Sequence, residues 1–499
     1  MLRSDRFARY APCQTRYRNS VMSQPAQVQP PATSPAEALR ELFAAQQAAT
    51  LAQGVPAYAQ RIADLDAVMR MVSGNQDRLL EAVSADFGNR SFAETRLGEL
   101  MPIINGIKHI RSHLKRWMRP ARRKAGIVFR PASAKVIYQP LGVVGILAPW
   151  NYPLTLTLVP LIEALAAGNR VMIKPSELTP RTSELLRQLL GETFPADQVA
   201  VVTGDATLAS QFSELPFDHL LFTGSTHVGR QVMAAAARNL TPVTLELGGK
   251  SPVVVCADFP VSKAARMIAI GKLFNAGQTC VAPDYVLVPR DLLDSFASEW
   301  LAAAKKLYPT LEGNQDYTSI ISPRHHERLS AMVMQAVAVG ARAWQHDAPV
   351  TPGERKIAPV AFTQVPLDAL ILQEEIFGPL LPVIAYDTLA EAIAFINARP
   401  APLALYCFSN RQASVDQVLS RTRSGGVTVN GTMLHATQDD LPFGGVGESG
   451  TGAYHGYEGF VRLSHARSVL TLSRFNLSDK VSAPYGRLTR LVTRLMLGS

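Results

Sequence analysis

Five short apolar runs, Val143–Leu147, Arg170–Ile173, Val199–Val202, His219–Phe222 and Val243–Leu245, constrain the fold more than any other feature. Helical stretches at 155–167, 180–193 and 227–238 separate them. Brief strands buried on both faces and joined by helices predict a parallel, doubly wound α/β sheet. A second alternation follows Gly249, with strands expected at 253–256, 284–288, 382–386, 404–408 and 426–430. The reading is two α/β domains side by side, with the junction near Gly248-Gly249 and no sequence repeat. At 499 residues the chain is long enough for more than one core.

The flanks read differently. Residues 1–33 read as a disordered leader. Arg3, Arg6, Arg9, Arg16 and Arg18 stand there against the single acid Asp5, so residues 1–21 read as an extension in preference to a presequence, since no apolar face is evident. Ser34-Pro35-Ala36-Glu37 is a capping box with proline at the first helical position, and order is expected to start there. Residues 34–121 and 141–247 are assigned to one domain, the first stretch mostly helical, and 248–461 to the other. Residues 126–139 have the β-rich look of a hairpin arm. The tail, 476–499, places Leu488, Leu491, Val492, Leu495 and Met496 at helical spacing, with Arg487, Arg490 and Arg494 off that face. Packing on protein is the favoured reading of that stripe over contact with a membrane surface.

Composition excludes several classes. A hydrophobic fraction of 47% against 18% charged residues describes a globular chain. No apolar run reaches the roughly 18 residues that suggest a membrane span. The net charge of +10 comes without a recognisable nucleic-acid module, so no nucleic-acid partner is expected. Cys13, Cys256, Cys280 and Cys407 lie far apart, with no CxxC. Neither a disulfide framework nor a metal site is expected, and a reducing compartment, the cytoplasm, fits best.

The candidate chemistry centres on Cys280, in Gly277-Gln278-Thr279-Cys280, and on Glu246, in Glu246-Leu247-Gly248-Gly249-Lys250. A thiol and a carboxylate are a nucleophile and a base, each beside small residues. A lone cysteine also serves as a small buried hydrophobe. Glu246 ends an apolar strand, where α/β folds meet ligands; an ion pair with Lys250 is the plainer alternative. Asn151, between Pro149 and Pro153, is a rigid amide suited to an oxyanion, or a turn asparagine bonded to its own backbone. Lys174 and Glu177, just past a strand, can hold the hydroxyls of an adenine ribose, and the carboxylate there favours NAD over NADP. Phe222 to Gly229 is a strand, a glycine turn and a helix start that attracts phosphate, without being GxGxxG. Glu375 can hold a second ribose and Phe377 can back a nicotinamide ring, or Glu374-Glu375 is a helix-capping acid cluster.

Taken together, Pro149-Trp150-Asn151, Lys174-Pro175-Ser176-Glu177, Phe222-Thr223-Gly224-Ser225, Glu246 to Lys250, Gly277 to Cys280, Glu375-Ile376-Phe377-Gly378-Pro379 and Pro442-Phe443-Gly444-Gly445 resemble the aldehyde dehydrogenase superfamily from about residue 40 to 470. Asn151-Tyr152-Pro153, Phe443 to Gly447, Tyr454-His455-Gly456 and Ser464-His465 look like its class 3 branch, which includes coniferyl and fatty aldehyde dehydrogenases. The resemblance implies Cys280 as nucleophile, Glu246 as general base, and Asn151 with the Cys280 N–H as oxyanion hole. It places Trp150, Lys174, Glu177, Gly224, Ser225, Gly229, Leu247, Glu375 and Phe377 around NAD, with NADP as a second candidate. It also implies a homodimer or homotetramer built through residues 122–140 and 462–475. The expected reaction oxidises an aldehyde, aromatic or medium-to-long aliphatic, to its acid through a cysteine thioester. The alternatives are transfer of the acyl group to coenzyme A or another acceptor, and a non-catalytic structural homologue.

Overall fold

The computed structural model describes residues 34–126, 129–475 and 481–498. The leader 1–33, residues 127–128 of the arm, and 476–480 and Ser499 of the tail lie outside the described residues. The first helix, Pro35–Gln53, opens as its sequence dictates: the Ser34 hydroxyl accepts the Glu37 N–H, and the Glu37 carboxylate accepts the Ser34 N–H. Helices Tyr58–Gly74, Gln76–Phe87 and Met101–Trp117 follow. A π turn, Arg96–Leu100, runs into the last of them.

Strand β1 (Ala121–Arg123) pairs antiparallel with β2 (Ala132–Pro140), so the arm is a hairpin with its first strand slightly earlier than expected. Strands β3 (Val143–Leu147), β4 (Arg170–Lys174), β5 (Val199–Val201), β6 (His219–Gly224) and β7 (Val243–Leu247) run parallel. Every residue of β3 and β4 is buried, which is why their sequences are apolar without alternation. Helices Thr155–Ala167, Pro180–Thr193 and Thr226–Ala237 join them, within a residue of the expected spans.

The second sheet holds β8 (Pro252–Val255), β9 (Tyr285–Pro289), β10 (Arg342–Gln345), β11 (Val360–Thr363), β12 (Leu380–Tyr386), β13 (Ala404–Phe408) and β14 (Gly426–Val429), in the order β10-β11-β12-β9-β8-β13-β14. Strands β10 and β11 went unread in the sequence. β10 is a largely exposed antiparallel edge, so it carries no apolar run. The short strand β15 (Gly450–Thr451) returns to pair antiparallel with β7, completing the order β15-β7-β6-β3-β4-β5. β16 (Ser464–Leu472) lies antiparallel on β2, from Ser464 opposite Pro140 to Leu472 opposite Ala132.

The chain crosses from one sheet to the other between Leu247 and Pro252. Among the described residues no helix is long and apolar enough to cross a membrane. The tail forms a helix, Arg487–Leu497, with none of its residues buried.

Candidate active site

The loop carrying Cys280 is shaped by backbone that ordinary residues avoid. After the helix Val261–Leu273, Asn275 (φ 52°), Ala276 (φ 50°) and Gly277 (φ 77°) are all left-handed. Only glycine serves at 277, because a Cβ there would lie 2.3 Å from the carbonyl oxygen of Gly378. Each non-glycine residue in that conformation costs about 1–3 kcal/mol, so neighbours must hold it. The Asn275 N–H donates to Glu94 Oε2 (3.1 Å). Gln278 Nε2 donates to the carbonyls of Asn275 and Ser319, each at 3.1 Å, and Oε1 accepts the Ile321 N–H at 2.9 Å. Asn151 is tied to the same loop: its Nδ2 donates to the Gln278 carbonyl (3.2 Å) and its own carbonyl accepts from Asn275 Nδ2 (3.1 Å).

A buried ion pair, Arg90 to Glu99 (2.9 Å), backs this arrangement. Arg90 also donates to the Asn151 carbonyl (2.9 Å), and Glu99 Oε2 accepts the N–H groups of Leu154 and Thr155. Glu94, Arg90, Glu99 and the bracing role of Gln278 were missed in the sequence. The first three lie far along the chain from the loop they support: Glu94 in the short helix Phe92–Thr95, Arg90 in the connection before it and Glu99 in the π turn.

Cys280 stands where two cavities meet. One, of about 220 Å³, is walled by Trp150, Asn151, Gly224, Ser225, Glu246, Leu247, Glu375 and Phe377. Trp150 lies edge-on to Phe377 (5.4 Å) and to His325 (5.2 Å). His325 and Arg328 also line this cavity and were not foreseen; the only signal was a basic helix start at Pro323-Arg324-His325. Arg328 donates to the carbonyls of Glu375 and Ile376, fixing the loop that carries Phe377.

Lys174, Glu177 and Gly229 do not wall the cavity. Lys174 ends β4 next to β3, and its ammonium meets Glu177 at 2.9 Å. Gly229 packs on Leu247 in the helix whose first turn is capped by the Ser225 hydroxyl.

The second cavity, about 350 Å³, is mostly apolar, with Leu97, Met101, Phe274, Met433 and Phe443 among its walls. Tyr152 and Phe443 line it, whereas Trp150 belongs to the first cavity. The Tyr152 hydroxyl meets Thr279 Oγ1 at 2.7 Å, and the ring of His455 stacks on Phe443 at 5.2 Å.

The electrostatics are those of a dry, acidic pocket. Glu246 is not paired with Lys250, whose ammonium is held by Asp284 (2.8 Å) and by the carbonyls of Ile371 and Glu374. Both carboxyl oxygens of Glu246 are buried without a hydrogen-bond partner. Burial, then the charge of Glu163, holds that carboxyl well above the usual range. Burial pushes the Cys280 thiol up to about 12, with Glu375 and Glu246 adding to it against the N–H groups of Cys280 and Val281. Glu375 is pushed up to about 7, by burial and then by Asp284.

A thiol so placed is protonated at neutral pH, and its reactive form grows as pH rises. Alkylation of Cys280 by iodoacetamide in the free protein is therefore expected to accelerate about ten-fold per pH unit, without a plateau below about pH 10. A plateau near neutrality in the pH–rate curve would show a stabilised thiolate instead.

Two α/β units thus enclose a thiol that lines both a cavity of mixed polarity and a mostly apolar one. The chain belongs to the aldehyde dehydrogenase family, whose profile matches residues 17–469, and it is an aldehyde-oxidising enzyme. It is 51% identical to the probable coniferyl aldehyde dehydrogenase of Pseudomonas aeruginosa, over 92% of this chain and 96% of that one. It is 40% identical to aldehyde dehydrogenase family 3 member A2 of Mus musculus, over 82% and 84% of the two chains. The structure of Staphylococcus aureus AldH in its substrate-bound state superposes with a TM-score of 0.87 at 35% identity, covering 92% of this chain and 99% of that one. The class 3 resemblance read from Tyr454-His455-Gly456 and its neighbours agrees with these relatives.

Proposed function

We propose that Cys280 is the nucleophile, Glu246 the general base, and Asn151 with the Cys280 N–H the oxyanion hole, in the oxidation of an apolar aldehyde to its acid. The observation that carries this reading is the single sulfur atom open to both cavities, one suited to a dinucleotide and one to an apolar substrate. Cys280 sulfur adds to the aldehyde carbon as the thiol proton passes to solvent, and the oxygen of that adduct faces the Asn151 amide. NAD held in the first cavity would supply the hydride acceptor whose use leaves a thioester on Cys280. Glu246 then takes a proton from water as the water oxygen attacks the thioester carbon. The carbon–sulfur bond breaks, the acid leaves, and the departing thiolate takes a proton back from solvent while Glu246 releases its own.

The residues present suit the cofactor. Gly224 and Ser225 wall the cavity at the start of a helix, where unpaired N–H groups favour a pyrophosphate. Lys174 and Glu177 would meet the adenine ribose, with Glu177 about half exposed and set against a 2′-phosphate, so NAD is the preferred cofactor and NADP the weaker one. Glu375 and Phe377 would place the nicotinamide ribose and ring, with Trp150, Leu247 and Gly229 behind.

The mostly apolar second cavity and the Pseudomonas aeruginosa relative favour a coniferyl-like aromatic aldehyde, with medium or long aliphatic aldehydes next. Free thiols at Cys256, Cys280 and Cys407 suit a reducing compartment such as the cytoplasm. The ladder of β2 and β16 is the surface on which a homodimer or homotetramer would form.

The test is a panel of aldehydes ranked by kcat/KM with NAD, run with and without coenzyme A. Coniferyl aldehyde is expected at the top, yielding the free acid in both arms. Formation of an acyl-coenzyme A product would favour acyl transfer over hydrolysis.

A further inference from the structure

The second cavity is mostly apolar, yet an acid stands in its wall: Asp439 lines it together with Cys280. The hydroxyls around it are engaged. Tyr152 is bonded to Thr279, Thr155 donates to the carbonyls of Gly98 and Glu99, Thr432 to that of Met267 and Thr437 to that of Leu434. The His455 ring stacks on Phe443 and meets Tyr454 edge-on at 4.6 Å. Among the described residues no donor is bonded to the Asp439 carboxyl group. A carboxyl group in an apolar wall without a donor costs free energy that a bound donor recovers.

Two glycines fix where this acid stands. The Asp439 carbonyl oxygen occupies the place a Cβ on Gly456 would need, and Gly456 is left-handed (φ 55°), so only glycine serves there. The Asp439 Oδ1 stands over Gly106, 3.6 Å from where a Cβ would lie, and Ile162 Cδ1 is 3.3 Å from the same point. Asp439 is half-buried, and burial holds its carboxyl above the usual range, with His109 opposing.

The helix Thr155–Ala167 measures the distance from sulfur to acid. It starts just after Tyr152, whose hydroxyl meets Thr279, the neighbour of Cys280. Thr155, Leu156 and Val159 then line the cavity, and Ile162 beside Asp439 lies one turn further on. Thr155 to Ile162 spans about 10 Å along the helix axis. That is close to the length of an aromatic ring carrying a three-carbon aldehyde at one end and a hydrogen-bonded hydroxyl at the other.

The geometry points to Asp439 as a specificity-determining residue that accepts the ring hydroxyl of a 4-hydroxylated cinnamaldehyde, the class that includes coniferyl aldehyde. The aldehyde carbon lies at Cys280, the apolar walls hold the ring, and the hydroxyl donates to the Asp439 carboxylate. A hydrogen bond to an ionised acceptor is the stronger kind, and a site that bonds a substrate hydroxyl rejects the analogue without one. This inference rests on the aromatic substrate and the Cys280 chemistry proposed above.

The experiment compares kcat/KM with NAD for 4-hydroxycinnamaldehyde, 4-methoxycinnamaldehyde and cinnamaldehyde, in the wild type, Asp439→Asn and Asp439→Ala. The wild type is expected to prefer the hydroxylated aldehyde about ten-fold over the other two. That preference should vanish in Asp439→Ala and fall only in part in Asp439→Asn, which keeps a neutral acceptor. Cinnamaldehyde turnover should be unchanged in both variants.

An unchanged preference in Asp439→Ala overturns the proposal, as does an equal fall for all three aldehydes, which would mark a structural role. If the variants do not fold, the wild type alone decides. The methoxy compound keeps the ring and the oxygen but cannot donate, so turnover equal to that of the hydroxylated aldehyde overturns the proposal. Cinnamaldehyde tests the underlying reading by itself. If it is not oxidised while aliphatic aldehydes are, the aromatic substrate falls and this inference with it. Ready oxidation of cinnamaldehyde without a preference for the hydroxyl overturns this inference alone.

Discussion

Glu246→Gln is expected to produce one burst of NADH, about one equivalent per active site, and then to stall. The substitution keeps the shape of a side chain whose oxygens touch no partner, so it removes little from the packing. It even takes away a negative charge that holds the Cys280 thiol up, so acylation should survive. What it removes is the proposed acceptor for the water proton, and loss of a general base lowers the dependent step about 10²–10⁴-fold. Stopped-flow absorbance separates the two phases. Turnover at the wild-type steady-state rate would mean that water is activated elsewhere, with Glu375 the other carboxyl group lining the same cavity.

Cys280→Ala should remove the burst itself. Alanine fits where the sulfur lies, and the surrounding brace of Gln278, Asn275 and Glu94 does not depend on that atom. The fold and the cofactor cavity should therefore persist, and NAD titration should give a dissociation constant close to that of the wild type. Loss of a nucleophile that acts as one unit with its partners lowers kcat by about 10⁶ in comparable enzymes. A surviving burst in the alanine variant would assign the covalent step to another group, and retained NAD binding is what distinguishes lost chemistry from lost structure.

The legible part of this molecule was the part dictated by periodicity. Strands β3, β4 and β13 lie within a residue of their expected spans, because strands buried on both faces must be apolar throughout. The edge strand β10 escaped notice because half-solvated backbone does not require such a run.

The groups around Cys280 divide in the same way. Asn151, Glu246, Glu375 and Phe377 could be singled out because each sits beside a proline or glycine that marks an unusual turn. Arg90, Glu94, Glu99 and Glu163 could not: Arg90 sits in a short connection and the three acids in helical turns, and their partners lie far along the chain. Arg90 reaches Asn151, Glu94 reaches Asn275, and Glu163 meets His455 and Gly456. Trp150 and Tyr152 are two residues apart, yet the chain turns between them and they wall different cavities.

The pairing of β16 with β2 has a consequence for biosynthesis. Until Leu472 has left the ribosome, β2 has only the three residues of β1 beside it, and the segment bearing Gly450, His455 and Gly456 has not yet reached Glu246 and Glu163. Apart from β15, the strands of the two larger sheets, β3 to β14, are already made before that moment. A nascent chain thus carries an exposed strand edge until late in translation, a period in which a chaperone would have the most to protect.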